Sequence, residues 1–549
     1  MHSNNQIGKA AKLAAAACIT ACMSMPVCGL DLTIDAAAAS GTLDMGRFSL
    51  GQGGLSSRPM LRQHISALKE LRPRSLRFFL QEYFGLYPAH NTYSWTKLDS
   101  TLDDIVAIGA EPIPSICFKP SVLFPVKDPA ITAPNNWAEW EELIYQLVKH
   151  CRDKGYGIKR WEVGNEPDQG EAGGCPYAFK DDGSDYLPYY DHTVAGIHRA
   201  DPTAKVGGPA LAGPWRNLGS ALLAHCGNGT IPLDFFSFHC YNNDAGYFSS
   251  GVVPAMKAKI AAYPSLANTE TALTEWNYDY NTAGATNPNQ PAWVLQATKG
   301  LQESGLSWSA FYHTRDFFVD PAEFRPFLGD GMIQTGTQFW NVTQPPFGIF
   351  SNAGVMRPAY FTFLWMSRLV GQKITVSGTT NEIHSLAVRN GSSVNAMIWN
   401  WAGATTNVTV RMPSTTQGNF RVMRLNADLV KIDTVRTGQA SELAANPIAF
   451  SLRTYDIYHI ETGSATGSAV AHAAAMPAAT IRLFSKSFLA NAKGPYQIEI
   501  FTACGSIIRM EEGKGEQSFS IRDLSPGVYS IVLRAGIKTL CTKSIVYHN

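Results

Sequence analysis

The chain has 549 residues, too many for one compact core, and its 45% hydrophobic and 16% charged residues describe a folded protein, not a disordered one. Its 45 Lys and Arg balance 44 Asp and Glu without a basic stripe or Lys/Arg run, so the electrostatic footprint of a nucleic-acid binder is missing. The ten cysteines form no C-x-x-C pair, and there is no HExxH and no glycine-rich phosphate loop, so neither a metal nor an organic cofactor is expected.

Lys9 and Lys12 precede the short apolar run "LAAAACITACMSMPVCG", the layout of a secretory signal peptide. Residues 1–39 are read as this leader, with cleavage between Ala17 and Ala39. No later stretch approaches the roughly 18 apolar residues of a membrane span. The mature protein is therefore expected to be exported, secreted or held at the cell surface.

From about residue 45 to 345, short apolar strands alternate with helical patterns. Eight strands are predicted: 47–54, 74–81, 111–118, 158–167, 204–213, 233–241, 271–278 and 307–314. The clearest helix is "NNWAEWEELIYQLVKHCRDKG", where Asn136 caps the start and Gly155 the end. Its apolar Trp140, Leu143, Ile144, Leu147, Val148 and Cys151 recur at helical spacing along one face. Eight βα units in about 300 residues imply an α/β fold, a (β/α)8 TIM barrel placed at residues 40–372. Residues 373–461 read as a β-sandwich with a hairpin at Asn390-Gly391, and 462–479 as an Ala/Gly/Ser linker. Residues 480–549 read as a small C-terminal all-β domain, in which Cys504 and Cys541 are the pair placed to form a disulfide.

Catalytic groups of such barrels sit at the C-terminal ends of strands. Glu166, in "WEVGNEPD", takes that place on the fourth barrel strand, and Glu275, in "LTEWNY", takes it on the seventh. A lone strand-end Glu more often caps a helix or pairs with an Arg. Two of them, each behind a polar residue (Asn165, Thr274), favour chemistry. A protonated and an ionised carboxyl converging over the barrel axis are the minimum apparatus for glycoside hydrolysis.

An N-E-P on strand four with a Glu on strand seven resembles the clan of retaining (β/α)8 glycosidases. The ordered set "YSWTKLDSTLDDIVAIGAEPIPSICFKP", "KRWEVGNEPD", "ADPTAKVGGPALAG", "DFFSFHCYNN", "LTEWNYDY" and "MRPAYFTFLWMSRLVG" is similar to glycoside hydrolase family 39, which holds β-xylosidases and α-L-iduronidases. The resemblance implies Glu166 as acid/base, Glu275 as nucleophile and Asn165 as donor to the sugar 2-hydroxyl. It implies His239 and Tyr241 as sugar contacts, with Tyr241 also donating to Glu275, and Arg77 as a residue orienting a carboxylate. His313 is expected on the wall of the sugar pocket.

Three departures touch that wall: Phe79 where members often carry His, Gly164 where they carry Trp before the Asn, and "FYHTRD" at the end of strand eight. Arg315 in that last stretch would suit an acidic sugar, or else faces a loop carboxylate. The C-terminal "DLSPGVYSIVL" is similar to sorting domains of type IX-secreted proteins, which would make secretion machinery a partner.

The expectation is thus a secreted retaining glycosidase trimming β-xylosides from the ends of an oligo- or polysaccharide. Its rivals are hydrolysis of a uronic acid-containing or exopolysaccharide chain, and a non-catalytic carbohydrate-binding barrel.

Overall fold

The structure is a computed structural model. It describes residues 29–53, 60–279, 289–343, 347–351, 354, 356–413, 417–426, 431–463, 479–483, 487–502, 507–521, 523–525, 527–535 and 538–547. The chain divides into two compact units, one around a nine-stranded sheet and one around a closed parallel barrel.

After a first strand β1 (Leu30–Asp44), the barrel strands follow in chain order: β2 (Phe48–Gln52), β3 (Ser75–Leu80), β4 (Glu111–Ile116), β5 (Arg160–Val163), β6 (Lys205–Leu211), β7 (Phe235–Tyr241), β8 (Glu270–Asn277) and β9 (Trp308–Tyr312). Each pairs in parallel with the next, and β2 closes on β9 with Leu50 opposite Phe311. All eight fall where the sequence predicts them. They are buried nearly end to end, as strands covered on both faces must be. Ile113, Phe235, Ala272 and Trp308 pack together as one layer of the barrel core.

The helix Trp137–Asp153 starts at Asn136, whose side chain accepts the Glu139 N–H at 3.3 Å, and buries the six apolar residues of the predicted face. Gly155 then turns the chain at φ 73°. A bulge between Phe238 and His239 shifts the register of β7 against β8, so that His239 comes opposite Glu275 at the mouth.

The other unit contains β10 (Val370–Ser377), β11 (Ile383–Asn390), β12 (Ser393–Asn400), β13 (Thr406–Arg411), β14 (Asn419–Asn426), β15 (Lys431–Gln439), β16 (Ile448–Leu452) and β17 (Ile457–Gly463). The sheet order is β15-β14-β17-β12-β11-β10-β1-β13-β16. Phe450 of the terminal strand β16 stacks on Tyr458 of β17 at 3.8 Å, so the sheet folds over on itself around one apolar core. That is the sandwich expected from residue 373 onward.

One boundary needs correction. Residues 30–39 are not leader: β1 pairs with β13, and Leu32 and Ile34 are wholly buried in the sandwich core. Likewise the barrel begins at β2 and not at residue 40. Residues 1–28, with the apolar run itself, lie outside the described residues.

At the C-terminal end, β18 (Ala479–Leu483), β19 (Ser487–Thr502), β20 (Ile507–Ser520), β21 (Gly527–Ala535) and β22 (Lys538–Tyr547) form a separate antiparallel sheet with its own core. Most of the linker and Cys504 fall outside the described residues, as does the side chain of Cys541.

Candidate active site

Strand β5 ends at Val163, and the backbone then takes two left-handed steps, Gly164 at φ 96° and Glu166 at φ 44°. Gly164 meets the first without strain; a Trp there would carry its side chain on a backbone that L residues avoid. The non-glycine step at Glu166 costs about 1–3 kcal/mol, a cost that elsewhere marks functional positions. Neighbouring backbone holds the kink: Gly164 N–H donates to Ile116 O at 2.9 Å, and Glu166 N–H donates to Ala210 O at 2.9 Å. Ala210 is itself left-handed, at φ 57°. Pro167 has no N–H to extend the strand. This geometry lifts the Glu166 side chain off the strand and over the barrel axis.

Glu275 arrives from β8, and the two acids meet. One oxygen of each carboxylate and a ring nitrogen of His239 all lie within 4.8 Å of one another. His239 Nδ1 is 2.9 Å from Glu166 Oε1 and 3.5 Å from Glu275 Oε2. This trio is the one cluster among the described residues whose ligand-type atoms would suit a single metal ion. Arg77 brings positive charge to this cluster.

The Arg77 guanidinium is buried at the centre. Its Nε donates to Glu162 Oε2 at 2.6 Å, Nη1 to Glu275 Oε1 at 2.9 Å, and Nη2 to Asn165 Oδ1 at 2.7 Å. Tyr241 donates its hydroxyl to Glu275 Oε2 at 2.6 Å. Asn165 spends one amide N–H on Gly173 O at 2.9 Å, which leaves it a second for a ligand.

These contacts make the carboxyls unequal. Burial raises both. For Glu166 the negative charge of Glu275 pushes further upward, and Arg77 opposes weakly. For Glu275, Arg77 and the Tyr241 hydroxyl pull back toward the ionised form. The first proton therefore leaves Glu275, and Glu166 holds its own. Burial, reinforced by Arg77, keeps His239 neutral, so its contact with Glu166 is a hydrogen bond and not an ion pair.

Six of the seven predicted site residues converge: Glu166, Glu275, Asn165, His239, Tyr241 and Arg77. The seventh does not join them. His313 is 1% exposed, its Nε2 lies 3.3 Å from Asp316 Oδ1, and Tyr312, Phe317, Trp340 and Phe347 enclose its ring. Arg315 donates through Nη1 to Met60 O at 2.8 Å, so it holds the loop after β2.

The sequence reading missed Glu162, Tyr312 and Gly173. Glu162 is wholly buried on the interior of β5. An acid in a buried strand facing another strand's inward Arg was the available signal. Tyr312 stacks with Phe79 at 6.1 Å, and the charges of both carboxylates act on its hydroxyl.

Comparison with known proteins gives a consistent picture. The model of the glycosyl hydrolases family 39 matches residues 77–426, more than half of the chain. A beta-xylosidase of Caldicellulosiruptor saccharolyticus is 24% identical over 337 residues, a match spanning 56% of this chain and 64% of that protein. An alpha-L-iduronidase of Mus musculus is 29% identical over 163 residues, 27% of this chain and 24% of that one. The chain thus spans less than two thirds of these relatives' length. Among solved structures, a monomeric beta-xylosidase from Caulobacter crescentus CB15 superposes with a TM-score of 0.64 at 19% identity, covering 79% of this chain and 99% of the other.

Proposed function

Because the chain belongs to the glycosyl hydrolases family 39, we propose that it is a retaining glycoside hydrolase with Glu275 as nucleophile and Glu166 as acid/base. The observation that carries this reading is the unequal pair: two converging carboxyls, one tied to Arg77 and Tyr241, the other without a cation in contact among the described residues and beside a neutral imidazole. Glu275, ionised, attacks the anomeric carbon. Glu166, protonated, gives its proton to the departing glycosidic oxygen, and as a carboxylate it later takes one from the water that hydrolyses the glycosyl ester. The second N–H of Asn165 is the donor assigned to the sugar 2-hydroxyl.

Retention is supported by spacing. Carboxyl groups about 5–5.5 Å apart attack directly, whereas inverting pairs leave about 6.5–9.5 Å for a water. One oxygen of each carboxyl lies within 4.8 Å of the other, which favours direct attack over a pair held apart by a water.

The relatives favour a β-xyloside as substrate, part of an oligo- or polysaccharide trimmed from its end. Arg315 donates to the backbone of Met60, an engagement that does not favour an acidic sugar. A panel of aryl β-xyloside, β-glucoside, α-arabinoside and α-iduronide tests this. The β-xyloside should turn over fastest, with the β-anomer of xylose formed first by NMR. Preference for the iduronide would transfer the reading to uronic acid-containing chains, and turnover of none would leave a binding barrel.

In the same reading the protein is exported, the basic and apolar N-terminus acting as leader and the C-terminal sheet as sorting signal. Truncation after Gly463 should spare hydrolysis and retain the protein in the cell envelope. Normal export of the truncated chain would refute the sorting role.

A further inference from the structure

Gly173 closes the turn Gly170–Gly173 that follows the fourth barrel strand. A Cβ built on it would stand 2.3 Å from Oε2 and 2.5 Å from Cβ of Glu166, distances that real Cβ atoms do not show. Its backbone does not ask for glycine. Gly164, Gly170 and Gly174 are left-handed at φ 96°, 63° and 71°, whereas Gly173 is not among the positive-φ residues. The missing methyl serves only the space that Glu166 occupies.

The turn has no room to retreat. Gly173 O accepts Asn165 Nδ2 at 2.9 Å, Gly174 O accepts Gln81 Nε2 at 2.6 Å, and Cys175 N–H donates to Gly170 O at 3.1 Å. Glu171 Oε1, in the same turn, accepts the Gly329 N–H at 2.8 Å. A side chain at residue 173 would therefore displace Glu166, whose carboxyl can rotate away but whose Cβ can move only with its backbone.

We propose that Gly173 is a positioning residue for acid/base catalysis: its bare Cα forms the wall against which Glu166 rests and which sets the direction of its carboxyl. The proposal rests on the assignment of Glu166 as acid/base. Oε1 faces His239 on one side and Oε2 faces Gly173 on the other, so the carboxyl is clamped between an imidazole and a backbone wall. Loss of the clamp frees the carboxyl to turn toward water, where it ionises more readily and no longer meets the leaving oxygen.

The test is a double-mutant cycle with two leaving groups. Gly173→Ala should lower kcat/KM on phenyl β-xyloside by about 10²-fold, the scale of a lost general acid, and by less than about tenfold on the dinitrophenyl β-xyloside. Its alkaline limb should move to lower pH. In a Glu166→Gly background neither the carboxyl nor the Cβ remains to be displaced, so adding Gly173→Ala should change rates by no more than about twofold. If Gly173→Ala alone does not fold, the double variant should, because the clash is gone. Equal losses on both leaving groups, multiplicative losses in the cycle, or a double variant that also fails to fold would each overturn the proposal. A wild type that hydrolyses no glycoside would sink the hydrolase reading and this one with it; an active wild type with an additive cycle would sink only this one.

Discussion

The two ends of the barrel hold similar charges and treat them in opposite ways. At the N-terminal end, Arg160 reaches Glu111 at 3.1 Å and Glu270 at 3.2 Å, and Lys205 reaches Glu270 at 2.6 Å. Two acids face two bases there, and the side chains of Arg160 and Glu270 are 22% and 21% exposed. Burial pushes Glu270 upward, but Lys205 and Arg160 outweigh it and keep its carboxyl below the usual range. At the mouth, Glu162, Glu166 and Glu275 share Arg77, the one cation in contact with this group among the described residues; Arg77, Glu162 and Glu275 are all 5% exposed or less, and Glu166 is 13% exposed. Burial wins over the counter-charge, and Glu166 stays well above the usual range. Glu270 and Glu275 sit on the same strand, five positions apart. What separates a structural acid from a candidate catalytic one is the ratio of cations to carboxyls and the access of water. A balanced, wet cluster ionises and stabilises; an unbalanced, dry one keeps a proton.

Removing the cation at each end should break that comparison most visibly. Arg77→Met leaves two buried carboxylates without a counter-charge, and urea unfolding should show a loss of about 3–5 kcal/mol at pH 7. Arg160→Met should cost about 1 kcal/mol, because water reaches both acids and Lys205 remains on Glu270. Equal losses would mean that water access does not distinguish the two clusters.

A smaller effect is expected when the mouth is brought nearer to balance. Glu162→Gln gives Glu275 the whole charge of Arg77 and removes a neighbour that raises its pKa. The acidic limb of kcat/KM, which reports ionisation of Glu275, should shift to lower pH. kcat should fall by about tenfold as the nucleophile becomes less basic. A limb that moved upward would contradict the role given to Glu162.

A further effect is one of stability alone. Glu82, in the loop after β3, is raised by burial to about 8, against partial relief from the backbone N–H of Lys119. The folded chain thus holds a proton that the unfolded chain gives up near pH 4.5, so this group's contribution to stability is lost as pH rises from about 4.5 to 8. Glu82→Gln does not titrate. Its stability advantage over the wild type should grow through that window and level off above it, read by urea unfolding at pH 5 and pH 8.5. A difference that stayed constant with pH would mean Glu82 is ionised in the fold.

Much of this was legible in the residues. The eight barrel strands showed as apolar runs closed by Gly, Pro, Asn or His, and the helix Trp137–Asp153 showed in its spacing. Glu166 and Glu275 stood out because charged groups at strand ends need a reason, whereas Arg77 and Tyr241 were implied by the family resemblance. Strand β1 was harder. Leu30, Leu32 and Ile34 alternate with Asp31, Thr33 and Asp35, but the alanines that follow continued the texture of the leader. Its partner β13 lies far along the chain, and such long-range pairing leaves no local mark. Gly173 was illegible for a different reason. Its contribution is an absent atom, and only the position of Glu166 gives that absence a meaning. For His313, strand-end placement says nothing about which neighbour a ring will choose, and Asp316 was three residues away.

The central claim is that unequal surroundings assign the roles of the two carboxyls, and the anomer of a rescued product tests it directly. Glu166→Ala, given dinitrophenyl β-xyloside and azide, should form the β-xylosyl azide, because azide attacks the intermediate on Glu275 from the face that water would use. Glu275→Ala with azide should form the α-xylosyl azide, because azide then replaces the nucleophile in a single inverting step. NMR of the two azides reads the result. The opposite pairing of variant and anomer would mean that the roles are exchanged and that the electrostatic account of the site is wrong.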